Sequence, residues 1–280
     1  MTAIAVDPPS VRRRRRGGIG SLTASSGLGL GVAVLWFSLI VLIPLAAVVV
    51  KTSSGGWSEF WDVLIDTQTT HALRFTITQA FLVTLVNVVM GTLIAWVLVR
   101  DRFFGKRVLD VIIDIPFALP TIVAGLVLLS LYGPKSPIGV NVANTQRAVF
   151  LALAFVSLPF VVRTVQPVLE ELDLDVEEAA ASLGASRFTV FRRVILPSLY
   201  PAISAGAALS FARGISEYGS LVLLSGNLAN RTEVASVRIL SFIEGDKIES
   251  AAAIATVLLV VSLIVIVLLD VLQRFAVRRG

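Results

Sequence analysis

The chain has 280 residues, 56% of them hydrophobic and only 15% charged, where a soluble domain carries roughly 25% charged residues. Its mean hydropathy is +0.87 and its formal net charge +5. It has no cysteine and a single histidine, His71, which excludes thiol chemistry, disulfides and any His/Cys metal centre.

Lipid is therefore the solvent for most of the chain. In hydrocarbon every backbone amide must be paired internally, which leaves helices or a closed barrel. A barrel needs segments of about ten residues with alternating polarity. The apolar runs here are long and unbroken, so the fold class is all-α, an integral membrane bundle. The basic residues border those runs rather than forming one soluble face, so the positive charge is read as a topology determinant and not as a nucleic-acid surface.

Residues 1–27 are rich in Arg, Gly, Ser and Pro, with unbroken arginine at 12–16. That composition predicts a disordered basic tail. The apolar stretch 28–50 is longer than a signal-peptide core of about 7–15 residues and is not followed by a small-x-small cleavage pattern. It is read as the first of six spans. The connection after it holds Trp57 and Trp61, aromatic residues suited to the membrane interface. The other spans are expected at 72–99, 111–132, 148–169, 199–225 and 250–272, each long enough for the ~20 residues that cross hydrocarbon. The charged stretch 226–249 offers a surface for a soluble partner.

With the N-terminus inside, one side of the membrane holds residues 12–16, Arg100, Arg102, Lys106, Arg107, Arg187, Arg192, Arg193, Arg274, Arg278 and Arg279. The other side holds the smaller set Lys51, Arg74, Lys135, Arg147, Arg231, Arg238 and Lys247. The bias puts both termini in the cytoplasm.

Charges within spans are functional candidates by default. Arg163 falls near the inner end of the fourth span, and Arg213 about fourteen residues, or ~21 Å, into the fifth. Glu217 follows Arg213 at helical spacing. Either an arginine lowers the barrier for a passing anion, or the charges neutralise one another: Arg213 with Glu217, and Arg163 with Glu170 or a neighbour. Snorkelling of Arg163 to the inner surface is a third possibility. Thr84, Asn87, Thr121 and Ser210 are neutral groups that either bond an anion in transit or join helix to helix. Pro116 and Pro120 flank the start of the third span, where freed carbonyls border a cavity or a neighbouring helix.

Enzymatic machinery is lacking in the pattern. No phosphate-binding G-x-x-x-x-G-K-[ST] loop occurs, and Gly105-Lys106 is followed by Arg107. Ser216 sits in a loose imitation of a nucleophile elbow without a histidine to serve it. His71 falls outside the spans and is read as interfacial.

One inner connection does not behave as a linker. Residues 170–197 read EELDLDVEEAAASLGASRFTVFRRVILP. Asp175 and Glu178 resemble a capping box for a short helix over 177–183. Gly184 suits the left-handed position that ends it. A second short helix with Phe188, Val190, Phe191 and Val194 follows, and Pro197 is placed at the start of the fifth span. Such a helix pair is either a knob that seats in a partner's groove or an amphipathic linker lying on headgroups.

The spacing Glu178-Ala179-Ala180, then Gly184, then Val194 and Leu196-Pro197 resembles the EAA loop of bacterial ABC importer permeases, with Val194 in place of the usual Ile. The stretch Ser157-Leu158-Pro159-Phe160 through Leu172, the stretch Ile115-Pro116-Phe117-Ala118-Leu119-Pro120-Thr121 through Gly125, the pair Gly226-Asn227 and the stretch Thr232-Glu233-Val234 resemble the T-type permeases of sulfate/thiosulfate importers. Molybdate permeases share much of this pattern. The resemblance covers residues 28–275 and implies one permease domain. It implies that Glu178, Ala179, Ala180, Gly184, Phe188, Leu196 and Pro197 couple to a separate ATPase. The expected partners are a second, W-type permease, two ATP-binding subunits that carry the ATP and Mg, a periplasmic or lipid-anchored sulfate-binding protein, and membrane lipid. This chain itself would bind no cofactor. The alternative of another class is an ion-gradient-driven transporter, which calls for repeated intramembrane carboxylates. Only Glu217 and Asp114 offer themselves.

Overall fold

The computed structural model describes residues 24–279. The described residues are helices and their connections, and they divide into two units between Ala47 and Val48. In the first unit, α1 (Ala24–Phe37) and a π-helical turn (Ser38–Leu42) lead into α2 (Ile43–Ser54), and Leu28, Val32, Leu35 and Trp36 are exposed. The helix begins at Ala24, inside the segment read as tail. The remainder of that tail, with its arginines, lies outside the described residues.

The second unit contains α3 (Gly56–Ile65), α4 (Thr67–Arg100), α5 (Lys106–Ala118), α6 (Thr121–Tyr132), α7 (Gln146–Glu171), α8 (Leu174–Ser182), α9 (Arg187–Val190), α10 (Leu196–Ile215), α11 (Gly219–Leu224), α12 (Ala235–Glu244) and α13 (Ile248–Arg279). Among the described residues five helices are long and apolar enough to cross a membrane: Ser26–Ser54, Thr67–Arg100, Gln146–Glu171, Arg187–Ile215 and Ile248–Val271. The bent pair α5 and α6 makes a sixth if it is one span. The protein is a multi-pass membrane protein, as its composition requires.

At the centre α4, α7 and α10 pack against one another. Small residues permit the close approach, as helix packing in lipid requires. A methyl group on Gly91 would stand 2.8 Å from Val161 Cβ, and one on Gly206 would stand 2.9 Å from the Val161 backbone. Around this trio lie Leu98, Val161, Val165, Leu169 and Leu199 at one end, and Val83, Val149, Leu153 and Leu224 at the other.

Two expected spans are not single helices. The third, expected at 111–132, bends by 117° between α5 and α6. Pro120 holds Leu119 extended (φ −84°, ψ 133°), because the pyrrolidine ring disfavours helical backbone in the residue before it. The fifth, expected at 199–225, stops at Ile215, and Glu217 and Tyr218 form a break before α11. Gly219 marks the reason: a methyl group there would meet Thr121 Oγ1 at 2.1 Å and Ile122 N at 2.9 Å, so the starts of α6 and α11 touch through backbone. Arg213 consequently lies in the last turn of α10 rather than in mid-helix.

The start of the fifth span also differs. The helix begins at Arg187, passes through a π-helical turn (Phe191–Ile195) and continues as α10, so Pro197 lies within it rather than at its start. In the π turn the Leu196 amide donates to the Phe191 carbonyl, five residues back. That is the kind of local adjustment that lets a proline sit within a membrane helix.

Candidate functional site

The loop between α7 and α10 is built by its caps. Asp173, not Asp175, caps α8: its Oδ1 accepts from the Asp175 amide at 3.0 Å. Asp175 and Glu177 then fall in the first turn, where carboxylates favour the positive end of the helix. The helix closes with a Schellman arrangement. The Gly184 amide donates to Ala181 O (2.9 Å) and the Ala185 amide to Ala180 O (3.1 Å), with Gly184 at φ +85°. Ser186 caps α9, accepting from the Thr189 amide at 3.3 Å.

The result is a short helix with one face exposed. Glu178, Ala179, Gly184 and Phe188 are exposed, as are Leu174, Val176 and Leu183. Ala180 turns inward onto the core beside Leu172 and Ala185. Leu196 and Pro197 are half-buried in the following helix, away from that exposed face. A groove of about 430 Å³ runs along the loop, lined by Trp96, Glu177, Ala181, Val190 and Phe191 among others.

A connection invisible in the sequence fixes this helix to the bundle. Arg100, the last residue of α4, is ion-paired with Glu177 of α8. Its guanidinium also lies 5.5 Å from the Trp96 ring centroid, and Trp96 meets Phe191 of the π turn edge-to-face at 5.7 Å. Arg100 had a signal in the sequence, but only as one of many basic residues at inner span ends.

The charges within the spans are neutralised by carboxylates. Arg163 of α7 is held by Asp114 through Nε and Nη2 (2.7 Å each). Asp110 takes Nη1 through its carboxylate and Nη2 through its carbonyl (2.7 Å each), and Gln166 Oε1 takes Nη1 at 2.6 Å. Its carboxylate partners are thus on α5. Of the partners expected from the sequence, Glu170 or a neighbour, Glu170 instead accepts from Gln166 Nε2 at 3.1 Å. Phe117 packs edge-to-face on Phe160 at 4.9 Å beside this cluster.

Arg213 Nη2 lies 2.5 Å from Glu217 Oε2, and the Glu217 side chain is only 1% exposed. The other carboxylate oxygen accepts from the Ser220 amide (2.9 Å) and hydroxyl (2.8 Å). Glu217 therefore both pairs an arginine and holds the start of α11 in place.

The neutral candidates are spread between helices. Asn87 Nδ2 donates to Ser157 Oγ (2.9 Å) and Ser210 Oγ (3.2 Å), joining α4, α7 and α10 at their common axis. Thr84 donates back to the Ala80 carbonyl of its own helix at 2.8 Å. Thr121 stands at the start of α6 against Gly219. His71 lies within α4, its ring 6.0 Å from Phe75. Among the described residues no group of His, Cys, Asp or Glu is arranged to hold a metal ion.

Residues 87–279 match the family described as binding-protein-dependent transport system inner membrane component. The chain is 44% identical over 259 residues to the sulfate transport system permease protein CysT of Salmonella typhimurium, covering 90% of this chain and 94% of that one. It is 44% identical to the CysT protein of Synechocystis, covering 88% and 89%. Among solved structures it is similar in fold to a chain of a bacterial ABC transporter that imports the acidic polysaccharide alginate. The TM-score there is 0.71 at 16% identity, covering 89% of this chain and 94% of that one. It is also similar in fold to a chain of an amino acid ABC transporter, with a TM-score of 0.54 at 22% identity, covering 74% of this chain and 93% of that one.

Proposed function

The chain belongs to the binding-protein-dependent transport system inner membrane component family, within the group of the sulfate transport permeases, and on that premise we propose that it forms part of the membrane pathway of an ATP-driven sulfate/thiosulfate importer. The observation that carries the reading is the likeness to CysT proteins over nine-tenths of the chain. The capped and exposed pair α8 and α9, with the turn between them, supports it from the physical side, because a surface offering Leu174, Val176, Leu183 and Phe188 to solvent calls for a protein partner.

We assign that partner to a separate ATP-binding subunit, present in two copies, which holds the nucleotide and its Mg. Glu178, Ala179, Gly184 and Phe188 form the contact, while Leu196 and Pro197 transmit its movement along the helix that starts at Arg187. A W-type permease completes the pathway, and a periplasmic or lipid-anchored binding protein delivers the anion. Both termini of this chain face the cytoplasm of a bacterial cell, with α8 on that side. ATP closure of the partner would bias the permease pair between two states, which is the element coupling requires.

Arg163 and Arg213 are each held by carboxylates, so a passing dianion meets no unpaired guanidinium from either in this conformation. Selectivity is accordingly placed mainly in the external binding protein. The test is uptake of labelled sulfate in cells lacking the gene, with and without the gene restored. Restored uptake that thiosulfate blocks and molybdate does not supports the reading. Uptake indifferent to the gene removes it, and block by molybdate alone reassigns the cargo.

A further inference from the structure

Helix α3 has three faces instead of two. At about 100° per residue, Phe60, Val63 and Leu64 fall on one side, and these pack on the core beside Leu73, Phe211 and Ile254. Trp57, Trp61 and Ile65 form a second band, spaced one turn apart, and are 72%, 47% and 69% exposed. Ser58 and Asp62 form a third band next to it, also exposed. The outward surface of α3 is thus split lengthwise into an apolar strip and a polar strip.

The position of α3 follows from its connections. It begins two residues after the apolar helix that ends at Ser54, and one residue separates its end from the start of α4 at Thr67. Both neighbours are long enough to cross a membrane, so a helix joining them lies at the surface of the bilayer. Gly56 at φ +84° makes the turn that lays it there. The rings of Trp57, Phe60 and Trp61 lock the band together, Trp57 stacked on Phe60 at 5.4 Å and Trp61 edge-on to both at 5.7 Å.

We infer that α3 is an interfacial anchor: the strip of Trp57, Trp61 and Ile65 is inserted into the lipid boundary while Ser58 and Asp62 face water. Lipid is the occupant that fits. The apolar helix that precedes α3 likewise exposes Val49 and Val50. Tryptophan carries a large apolar ring with one polar N–H, which suits the boundary between acyl chains and headgroups. The polar strip alongside leaves one half of the exposed helix hydrated, as in helices that lie in the plane of a membrane surface. The anchor would hold the first connection at a fixed depth while the rest of the bundle changes state. This inference rests on the membrane character of the chain and not on the identity of its solute.

The chain has no native cysteine, so single substitutions Trp57→Cys, Trp61→Cys, Ile65→Cys, Ser58→Cys and Asp62→Cys can each carry a nitroxide. They are placed in the assembled transporter, with partner cysteines replaced, in nanodiscs of phosphatidylcholine and phosphatidylglycerol. Collision with oxygen, which concentrates in lipid, is compared with collision with a water-soluble nickel chelate. The expected result is oxygen dominant at 57, 61 and 65 by several-fold, and the chelate dominant at 58 and 62. Equal exposure of all five labels to the chelate overturns the inference. So does protection of 57, 61 and 65 from both reagents, which would mean that a protein partner covers the strip.

Discussion

Glu177 on the exposed helix α8 is ion-paired with Arg100, the last residue of α4, across 77 residues of sequence. The side chains are only 19% and 16% exposed, so water replaces neither partner fully if the other is lost. The pair ties α8 to the end of a long membrane helix at that point.

Breaking that pair should weaken coupling more than assembly. Glu177→Gln removes the charge while keeping the shape, at a cost on the order of 1–3 kcal/mol. Sulfate taken up per ATP hydrolysed should fall, and Arg100→Glu combined with Glu177→Arg should recover part of it. Normal coupling in Glu177→Gln would reduce the pair to a structural contact.

Arg163 is the only cation paired with Asp110 and Asp114 among the described residues, and it ties α5 to α7. Arg163→Gln leaves two carboxylates facing each other without it, whereas Asp114→Asn leaves the Asp110 contacts in place. The first variant should lose thermal stability in detergent by a few kcal/mol at most, and the second by less. Melting followed by size exclusion measures both. Equal melting of Arg163→Gln and the parent would show that Phe117 on Phe160 and backbone packing suffice to hold α5.

Glu217 is nearly inaccessible, so losing Arg213 strands a carboxylate in the interior. Arg213→Gln should destabilise on the order of 3 kcal/mol, and the double variant Arg213→Gln with Glu217→Gln by less than the single one. Sulfate uptake by the double variant should show an unchanged half-saturating concentration. A shifted value in a protein of normal stability would place Arg213 on the anion's route.

Two glycines should respond for different reasons. Gly206→Ala pushes a methyl group to within 2.4 Å of Thr164 Oγ1 and 2.9 Å of Val161 Cα. Backbone must move, so overpacking by about 1–3 kcal/mol is expected, read as a lower melting temperature. Gly184→Ala meets open space at φ +85°, so only the left-handed strain of about 1–2 kcal/mol is paid, within the loop. Its melting should fall by less than that of Gly206→Ala. A reversed order of the two would contradict the packing at α7 and α10.

Asp66 caps α4. Its carboxylate is held below its ordinary pKa of 3.8, first by the Thr69 amide and further by the Thr69 hydroxyl and Arg238, with burial opposing them. A lowered folded-state pKa means that the stabilisation is present above the unfolded value near 3.9 and is lost as pH falls through the folded one. Asp66→Ala should cost about 1 kcal/mol at neutral pH. The difference between parent and variant should shrink as the pH is brought below about 4. A difference independent of pH would mean that the negative charge of Asp66 does not contribute to the cap.

The sequence by itself determined the membrane class, the number of apolar segments, and the helix–glycine–helix form of the loop. These are local properties: unbroken hydrophobic length, and the left-handed tolerance of Gly184. It located the pairing of Arg213 with Glu217 as well, because the two stand four residues apart. What only the tertiary structure decided are the relations between distant elements. Arg163 chose Asp110 and Asp114 over Glu170 because α5 lies against α7, which no spacing along the chain records. Glu177 found Arg100 for the same reason. The break at Glu217 and Tyr218 depends on the starts of α6 and α11 meeting at Gly219, and the long apolar run from 199 to 225 hides it. In lipid an apolar residue gains little by pointing one way rather than another, so hydropathy reports the length of a span but not its bends or its neighbours.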